Sequence, residues 1–450
     1  MPTTALMKIS SRTKPCVRRE LAALQLPTLS LPASLAEKLV FGRTKGRGLD
    51  VRIVIVGAGV VGTLSAHALA TAGHQVTVLD RERGPALGAS YANAGNLAYD
   101  SAAPWARPGL LSDLVSAGRG PDAAIVIGWR ADPDYWRWLA RMLAQCRAGR
   151  HLANSARLEE LACESLAAMA DLARTVPDLA FHAQTGMTLV LQQTAAGLEQ
   201  AVRAAGKNGV ALTVPEVIAR EPGLEPHARQ FAGALARPRE QSGDCFQFTQ
   251  AIARDAQRLG ATFRYESCAI RLVSGRSGIT AVQLASGEEI GAEIVVIAAG
   301  WESPQLLRQV GVRAPVLGVR GYALTARICD PDRAPRGALI MAAQRITMTR
   351  LGDRVRITGI AELSDPRRAP DERQLAKVAR AAKGWFTGAI DLDTAERWSG
   401  LRPSTPTGVP IIGATAVRGL YVNAGHGPLG FTLAAGSARR LAAAISIASS

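Results

Sequence analysis

The sequence predicts an α/β protein in which a discontinuous Rossmann-like nucleotide-binding domain is joined to a second, α+β domain built on a mixed sheet. Three separate stretches support this fold class. Residues 51–80 comprise an apolar strand, a glycine-rich turn, a helix and a second strand that ends at Asp80. Residues 293–307 and 419–442 each repeat the order of apolar strand, small-residue turn and helix. Strands that alternate with helices in this way favour a parallel sheet with helices on its faces.

The turn of the first stretch carries the spacing G-x-G-x-x-G at Gly57, Gly59 and Gly62. In a nucleotide-binding turn the first glycine permits the tight bend, the second lets a pyrophosphate approach the helix N-terminus, and the third lets the helix pack close to the strand. Asp80 lies 23 residues after Gly57, where a carboxylate can accept hydrogen bonds from a ribose. The alternative is a strand–helix turn without a ligand, and the acid at the strand end favours a dinucleotide site.

The positions of the three junctions along the chain help to choose between NAD and FAD as the cofactor. An NAD enzyme usually keeps its nucleotide site within one contiguous Rossmann half. A late glycine-rich turn, here Gly425, Gly427 and Gly430, suits a flavoprotein because it brings a helix N-terminus to the electron-rich pyrimidine side of the flavin. Either late junction, taken alone, is equally well an ordinary strand–helix connection. The three junctions together predict FAD.

These junctions divide the chain into two predicted domains. The FAD-binding domain takes residues 51–100, 240–310 and 395–445, and the substrate domain takes residues 101–239 and 311–394. Apolar periodicity within these pieces predicts helices at 155–176, 243–260 and 371–384, and strands at 186–192, 209–214, 261–285, 316–328 and 354–362.

Residues 1–50 differ in composition from the rest of the chain. They hold nine Lys or Arg and three acidic residues, a net charge of +6 out of +16. Their acid-poor, Arg- and Ser-containing character is compatible with an organelle transit peptide or with a disordered arm. We favour a third interpretation, in which translation starts near Val51, because the first core strand begins there and a Val codon can serve as a bacterial start.

Bulk composition excludes several classes of protein. With 48% hydrophobic residues and no apolar run of roughly 18–20 residues, a globular chain without a membrane span is expected. Six cysteines without CxxC or metal-like spacing predict reduced cytosolic thiols and no metal site. No basic cluster is interleaved with aromatic residues, so nucleic acid is not expected, whereas the net charge of +16 favours an anionic membrane surface. We expect a cytoplasmic protein, with peripheral attachment to the inner face of the cytoplasmic membrane and oligomerisation both left open.

Two late motifs are the most specific in the chain: WSGLRPSTPTGVPIIG at 398–413 and NAGHGPLGFTLA at 423–434. Shorter segments accompany them: VRIVIVGAGVVG at 51–62, SYANAG at 90–95, APWARPG at 103–109, SGDCFQFTQ at 242–250, RGYALT at 320–325 and RVRITGIAEL at 354–363. Together these segments resemble the D-amino-acid dehydrogenase small-subunit family, within the wider group of glycine, sarcosine and D-amino-acid oxidases. The resemblance covers the chain from about residue 51 to its end.

The resemblance implies an FAD-dependent enzyme that oxidises D-amino acids to imino acids, which water converts to 2-oxo acids and ammonia. It implies that electrons pass to a membrane quinone pool or an artificial acceptor rather than mainly to oxygen. An oxygen-using glycine or sarcosine-type oxidase, or a flavin-binding subunit of a hetero-oligomeric dehydrogenase, is the alternative. The chain departs from the family at Tyr91 and Pro428, and residues 342–348 lack a customary Tyr. These departures bear on the substrate preference.

Three side chains are candidates for direct contact with the reacting groups. Arg402 can offer two parallel donors to a substrate carboxylate, a role that the resemblance also implies for the Arg of GLRP; the alternative is a structural arginine that pairs with an acid or caps a backbone. His426, between two glycines, either lies near the flavin ring and donates to it on reduction or suits the turn geometry. Tyr322 either bonds the substrate carboxylate or lines the substrate sheet, and we favour the second.

The predicted cofactor contacts are Val56, Gly57, Gly59, Val60, Val61, Gly62, Asp80, Arg81, Asn93, Ala94, Gly95, Ala299, Gly300, Gly425, Gly427 and Gly430. Among these, Asn93 and Gly95 are assigned through the resemblance. Residues 421–434 contain no cysteine, which gives no support for a covalent cysteinyl link, and Cys245 is expected to be a packed thiol because no base stands in a recognisable relation to it.

Removal of residues 1–50 is expected to leave folding and flavin binding unchanged, because the first core strand starts at about Val51. The measurement is the flavin absorbance of a purified chain that begins with Met followed by Val51, beside that of the full chain. Loss of flavin from the shortened chain would contradict the prediction.

Overall fold

In the described part of the chain, strands alternate with helices near both ends, and a large mixed sheet takes most of the strands between them. The computed structural model describes residues 51–110, 125–276 and 278–448. The strands are β1 (Arg52–Val56), β2 (Gln75–Leu79), β3 (Asn96–Leu97), β4 (Ile125–Ile127), β5 (Gln184–Thr185), β6 (Thr188–Gln192), β7 (Val210–Leu212), β8 (Gly233–Arg237), β9 (Gln241–Ser242), β10 (Thr262–Arg264), β11 (Ala269–Gly275), β12 (Gly278–Leu284), β13 (Glu289–Gly291), β14 (Ile294–Ile297), β15 (Leu317–Ile328), β16 (Ala338–Met341), β17 (Ile346–Leu351), β18 (Arg354–Leu363), β19 (Ile390–Ser404), β20 (Ile411–Ala414) and β21 (Leu420–Ala424). The α-helices are α1 (Val60–Thr71), α2 (Pro133–Ala144), α3 (Ala148–Thr175), α4 (Ala195–Ala205), α5 (Val214–Arg220), α6 (Cys245–Arg258), α7 (Ser303–Arg308), α8 (Glu372–Ala382) and α9 (Gly430–Ala448). Short 3-10 helices cover Gly206–Asn208, Pro222–Gln230, Gly300–Glu302 and Gly427–Leu429.

The nucleotide sheet is a six-stranded sheet in the order β10-β2-β1-β14-β21-β20. Its first five strands run parallel, and β20 pairs antiparallel with β21. Central strands covered on both faces read as continuous apolar runs, and β14 shows this with the fully buried sequence IVVI. Ile53 of β1 packs in one core cluster with Ala66 of α1 and Leu441 of α9. The three predicted strand–helix junctions therefore all belong to this sheet.

The substrate sheet is a nine-stranded mixed sheet in the order β19-β15-β18-β17-β16-β6-β8-β7, with β4 paired to β18. Most neighbours are antiparallel, while the β6–β16 and β4–β18 pairs are parallel. One face packs Leu324, Met348 and Ile357 against Val378 of α8. Two three-stranded sheets complete the architecture, in the orders β11-β12-β13 and β3-β9-β5.

The long helix α3 falls in the predicted substrate piece 101–239 but packs against α9 on the nucleotide side. A Cβ at Gly436 would lie 2.9 Å from both Leu161 O and Ser165 N, and the Gly436 N–H donates to Ser165 Oγ at 3.2 Å. The absence of a side chain at this position permits the close helix crossing. Helix α3 therefore follows the predicted boundary between residues 100 and 101 but packs on the nucleotide side. Contacts between helices that are distant in sequence produce no local sequence pattern from which this packing could be predicted.

Residues 395–404 were assigned to the nucleotide piece 395–445, whereas the structure places them on the substrate sheet. They belong to β19, which pairs antiparallel with β15 in a register that sets Arg402 opposite Val319. Backbone pairing over the length of a strand holds it to one sheet, and the turn to the nucleotide sheet follows only after Ser404. Arg402 therefore stands on a strand of the substrate sheet.

The buried carboxylate of Glu221 holds the backbone that immediately precedes β16. Its side chain accepts the N–H of Arg336 at 2.7 Å and of Gly337 at 2.9 Å, and the residue has 0% exposure. Burial raises the pKa of Glu221 to about 7, although the two backbone bonds act in the opposite direction. Folding therefore favours the protonated form of this group.

The stability of the protein is expected to fall as the pH rises through the range in which Glu221 ionises. A rise from the ordinary value of 4.5 to about 7 corresponds to about 3 kcal/mol, which is fully present below pH ~4.5 and lost as the pH approaches and passes 7. Glu221→Gln cannot ionise and should lack this part of the fall in the free energy of unfolding. Urea unfolding at several pH values measures the slope. The exposed neighbour Glu225 provides the control Glu225→Gln, and equal slopes for both variants would contradict the assignment.

Candidate functional site

A cavity of about 960 Å³ lies between the nucleotide sheet and the substrate sheet, at the upper end of the roughly 300–1,000 Å³ usual for ligand sites. Gly57 and Asp80 line it on the nucleotide side, and Trp398 and Arg402 line it on the substrate side. One continuous space therefore joins the glycine-rich turn to the candidate substrate residues.

The glycines of the first turn serve different purposes. Gly57 has φ of +109°, and a Cβ there would lie 2.5 Å from Ala298 O, so only glycine fits. A Cβ at Gly62 would lie 1.9 Å from Gly57 O, which would push α1 away from the turn. At Gly59, in contrast, the nearest atom to a Cβ is Ser90 Oγ at 3.5 Å. The chain itself thus requires Gly57 and Gly62, while the open side of Gly59 leaves room for a ligand.

Asp80 ties the end of β2 to the glycine-rich turn. Its carboxylate accepts the Ala58 N–H at 2.6 Å and the Glu82 N–H at 2.9 Å. Burial raises the pKa of this carboxyl, and these two backbone bonds oppose the rise. Asp80 also lines the cavity, and each carboxylate oxygen has a second lone pair with which it can accept a further bond. The predicted ribose contact is compatible with this position.

Most of the predicted cofactor contacts line the cavity. These are Val56, Gly57, Gly59, Val60, Val61, Asp80, Arg81, Asn93, Ala94, Ala299, Gly300, Gly427 and Gly430. Three others, Gly62, Gly95 and Gly425, lie behind the wall. Gly95 and Gly425 have φ of +71° and +88°, and a Cβ would lie 2.8 Å from Gly243 O or 2.6 Å from Thr405 Cγ2. We interpret these three as packing glycines that shape the turns rather than as direct contacts.

His426 is buried and neutral at the last glycine-rich turn. Burial lowers the pKa of its ring to about 3. Its Nε2 lies 3.0 Å from Ser437 Oγ, which itself donates to Ala434 O, so Nε2 carries the proton and Nδ1 is an acceptor. This tautomer opposes the predicted donation to the flavin, because the one N–H of the neutral ring is already used on Ser437.

Two buried acceptors on the cavity wall have no hydrogen-bond partner among the described residues: His426 Nδ1 and Asn423 Oδ1. Buried acceptors are normally satisfied, since an unpaired one costs about 1–3 kcal/mol. A ligand with hydroxyl and imide N–H donors would supply the missing bonds. The ribityl chain and the ring system of FAD carry both kinds of donor. The cradle at Gly59 and these two acceptors therefore fit FAD.

Arg402 carries its charge into the cavity without an acidic partner among the described residues. Its Nη1 donates to the carbonyl of Ile360 at 3.2 Å, and burial lowers the pKa of the guanidinium to about 10. The group lies over Gly321 of the neighbouring strand, where a Cβ would stand 2.5 Å from Arg402 Cζ. Such a guanidinium, still charged at neutral pH, is a ready binding group for a carboxylate.

A bulge in β18 brings the Ile360 carbonyl to Arg402. The β15–β18 register shifts between Arg320, opposite Glu362, and Tyr322, opposite Gly359. Ile360 has φ of +59°, which is a genuine outlier for a β-branched residue. Residues held in such conformations cost of order 1–3 kcal/mol and cluster at functional sites. The strain coincides here with a residue whose carbonyl accepts a hydrogen bond from the guanidinium of Arg402.

Tyr322 lines the cavity, but its hydroxyl is engaged elsewhere. It donates to Glu362 and accepts the Asp371 N–H at 3.1 Å. Burial and the bond to Glu362 both raise the pKa of the phenol. Because the only hydroxyl proton is spent on Glu362, the structure supports the interpretation of Tyr322 as part of the wall of the substrate sheet.

Several wall residues were not predicted from the sequence. They include Asn423, Arg320, Arg345, Trp398 and Ile360. Asn423 could have been found, since it is the last polar residue of the strand before the last glycine-rich turn. Nothing local distinguishes Arg345 or Ile360, because a β-hairpin and a bulge bring them to the cavity.

A nucleotide cradle that opens onto a chamber with a charged arginine in its wall defines an enzyme that holds a dinucleotide cofactor against a small anionic substrate. The family comparison narrows this class. The chain belongs to the family of FAD dependent oxidoreductases, whose sequence model matches residues 52–444. FAD is therefore the cofactor, as predicted.

Individual relatives agree with the family assignment. The chain is 38% identical over 395 residues to a D-amino acid dehydrogenase of Rhizobium johnstonii, covering 86% of this chain and 94% of the relative. It is 39% identical over 402 residues to one of Methylobacterium radiotolerans, covering 88% and 96%. The resemblance to this group of proteins, identified from the motifs, is confirmed.

Solved structures confirm the predicted fold class. Glycine oxidase from Geobacillus kaustophilus superimposes with a TM-score of 0.65 at 24% identity, covering 88% of this chain and 95% of that one. L-proline dehydrogenase from P. horikoshii gives a TM-score of 0.64 at 18% identity, covering 89% and 94%. At these identities the likeness concerns the fold alone.

FAD is expected to be held without a covalent bond. The last glycine-rich segment, 421–434, contains no cysteine, and burial raises the pKa of the Cys245 thiol to about 12, which keeps it protonated and unreactive. Acid precipitation should release a flavin that carries adenine into the supernatant, measured by absorbance and chromatography. Colour that stays with the precipitated chain, or colourless freshly purified protein, would contradict the prediction.

Proposed function

We propose that this chain is a D-amino acid dehydrogenase, which oxidises the substrate at its α-carbon and passes the electrons to an acceptor other than oxygen. The observation that carries the proposal is the guanidinium of Arg402, which is buried without an acidic partner among the described residues and faces the cavity that the glycine-rich turn also lines. The names of the two relatives support the choice of D-amino acids.

Arg402 would bind the α-carboxylate of the substrate. Its position is fixed by the Ile360 carbonyl and by the space over Gly321, so little side-chain freedom remains to be lost on binding. A fixed fork of donors orients a carboxylate as well as attracting it. Orientation of the α-carbon then follows from the held carboxylate, which is the positioning that a direct transfer requires.

The substrate amine must be neutral when its α-carbon is oxidised. The carboxylates that line the cavity among the described residues, Asp80, Glu82 and Glu302, lie at the nucleotide end. Positive charge dominates the substrate end, and a nearby positive charge lowers the pKa of an ammonium group. The wall of the chamber would therefore favour loss of the ammonium proton without a dedicated side-chain base.

The overall reaction balances through the cofactor and water. Bound FAD supplies the acceptor for the hydride, that is, for one proton and two electrons from the α-carbon. The substrate leaves as an imino acid, and water adds to the C=N bond to give the 2-oxo acid and ammonia. No step of this reaction requires the chain to supply a nucleophile.

The electron acceptor and its location form the second part of the proposal. Among the described residues no helix has the length and apolar character needed to cross a bilayer. We propose a quinone as the acceptor and peripheral attachment to the inner face of the cytoplasmic membrane, supported by the net charge of +10 that remains of +16 without the +6 of residues 1–50, and by its attraction to anionic lipids.

One experiment tests the activity and separates it from its rivals. Anaerobic bleaching of the flavin is measured with a panel of D-, L- and N-methyl amino acids, followed by turnover with a quinone or a dye and with oxygen. D-Amino acids should bleach the flavin, and turnover should need the added acceptor. Peroxide formation without dye would indicate an oxidase. Bleaching only in the presence of a second polypeptide would indicate a subunit of a hetero-oligomer.

Arg402→Ala is expected to lower kcat/KM for the best D-amino acid by on the order of a hundredfold or more. Charge-assisted hydrogen bonds contribute roughly 1.5–3 kcal/mol each, and about 1.4 kcal/mol is tenfold. Arg402→Lys should recover only part of the loss, because a point charge does not reproduce the fork. Steady-state kinetics measure the change, and the flavin spectrum checks that the cofactor remains bound.

Arg397 provides the matched control for this pair of variants. It lies on the same strand, β19, but is exposed and paired with Glu372, so Arg397→Ala should retain near-native kinetics. A near-native Arg402→Ala would contradict the carboxylate role. Loss of flavin from that variant would show that Arg402 is structural.

A further inference from the structure

The substrate end of the cavity has an unusual charge balance. Arg320, Arg345 and Arg402 line it, whereas the lining carboxylates of the described residues lie at the nucleotide end. There Glu302 is already paired with Arg81. The α-carboxylate of a neutral amino acid would pair with only one of these guanidinium groups. The chamber therefore carries more positive charge than such a substrate would neutralise.

Arg320 and Arg402 hold their charges in fixed places. Arg320 is 6% exposed and donates to Pro366 O, Arg368 O and Ser399 Oγ at 2.8, 2.7 and 3.3 Å, which are all neutral oxygens. These bonds orient its guanidinium, which forms no ion pair with the described residues, although Glu362 stands opposite Arg320 on β18. Buried charges without an ionic partner are costly, and an anionic ligand would reduce that cost.

Arg345 differs because it is exposed and lines the cavity from the turn between β16 and β17. It makes no hydrogen bond or ion pair with the residues that the structure describes, and its backbone is left-handed, with φ of +56°. Ile346 pairs with Gly359 of β18, and the Arg345 carbonyl would lie 3.3 Å from a Cβ at Gly359. The turn thus stands beside the bulge that positions Arg402.

The spacing of the two arginines suits a substrate with two anionic ends. The guanidinium of Arg402 lies over β15, and Arg345 precedes β17, with β18 between them. At about 4.8 Å per strand, the backbone of β15 under the Arg402 guanidinium and the backbone at the start of β17 are roughly 10 Å apart across the sheet. A four- or five-carbon dicarboxylic amino acid bonded at both carboxylates spans a distance of this order.

We propose that the preferred substrates are dicarboxylic D-amino acids, whose side-chain carboxylate binds Arg345 while the α-carboxylate binds Arg402. The proposal rests on the proposed function and adds the substrate class to it. Arg345 is a specificity-determining residue in this arrangement, because it discriminates the end of the side chain from an uncharged amide of the same shape.

The test compares isosteric substrates in the flavin-loaded enzyme. The ratio of kcat/KM for D-glutamate over D-glutamine is expected to exceed tenfold in the native chain and to fall at least tenfold in Arg345→Met. Arg345→Lys should retain part of the ratio, and added salt should lower the native ratio because the pair is exposed. Arg313, exposed and away from the cavity lining, gives the control Arg313→Met, which should keep the native ratio.

A second readout needs no turnover. Glutarate and its monoamide are titrated into the enzyme, and the shift of the flavin absorbance reports binding. Glutarate should bind at least tenfold more tightly than the monoamide, and Arg345→Met should abolish the difference.

The outcomes separate this proposal from the proposed function. Oxidation of neutral or basic D-amino acids in preference to D-glutamate would overturn the substrate class and leave the dehydrogenase activity standing. An unchanged ratio in Arg345→Met would equally overturn it. If no D-amino acid is oxidised, the proposed function fails, and the glutarate titration still decides whether a dicarboxylate site exists.

Discussion

The burial of an uncompensated guanidinium organises the substrate side of this molecule. Two neighbouring residues set the position of the Arg402 side chain. Gly321 supplies the space, since any side chain there would meet the guanidinium. The Ile360 carbonyl supplies the orientation through one hydrogen bond. No acidic side chain among the described residues pairs with Arg402, so its charge is compatible with an anionic ligand in the cavity.

The structure of the nucleotide side depends mainly on the close packing of backbone segments. Gly57 and Gly62 allow a strand and a helix to approach to a distance that no side chain would permit, and Asp80 fastens the turn to the end of the neighbouring strand. The two sides meet at one cavity because β19 leaves the substrate sheet at Ser404 and the chain then returns to the nucleotide sheet through β20.

The sequence was sufficient to predict the features that depend on local pattern. The turn at Gly57, the strand end at Asp80 and the cofactor class all follow from spacing and from hydrophobic runs, and each has its counterpart in the structure. What depends on pairing between distant segments could not be predicted. The approach of α3 to Gly436 and the place of Arg402 on the substrate sheet have no local signal.

The role of His426 shows a different limit. Its position beside the last glycine-rich turn was evident from the motif, but the direction of its hydrogen bond depends on Ser437, eleven residues later on the next helix. Residue type alone leaves an imidazole free to donate, to accept or to carry charge. Only the partner of Nε2 decides between these states. The same applies to Tyr322, whose hydroxyl is committed by Glu362.

The neutrality of His426 has a consequence for the redox chemistry of the protein. With a pKa of about 3, the ring gains no proton anywhere between mildly acidic and alkaline pH. The last glycine-rich turn therefore presents a constant electrostatic environment to the electron carrier beside it. The midpoint potential of such a centre would vary with pH through the protons taken up by the carrier itself, and the surrounding turn would add no titration of its own.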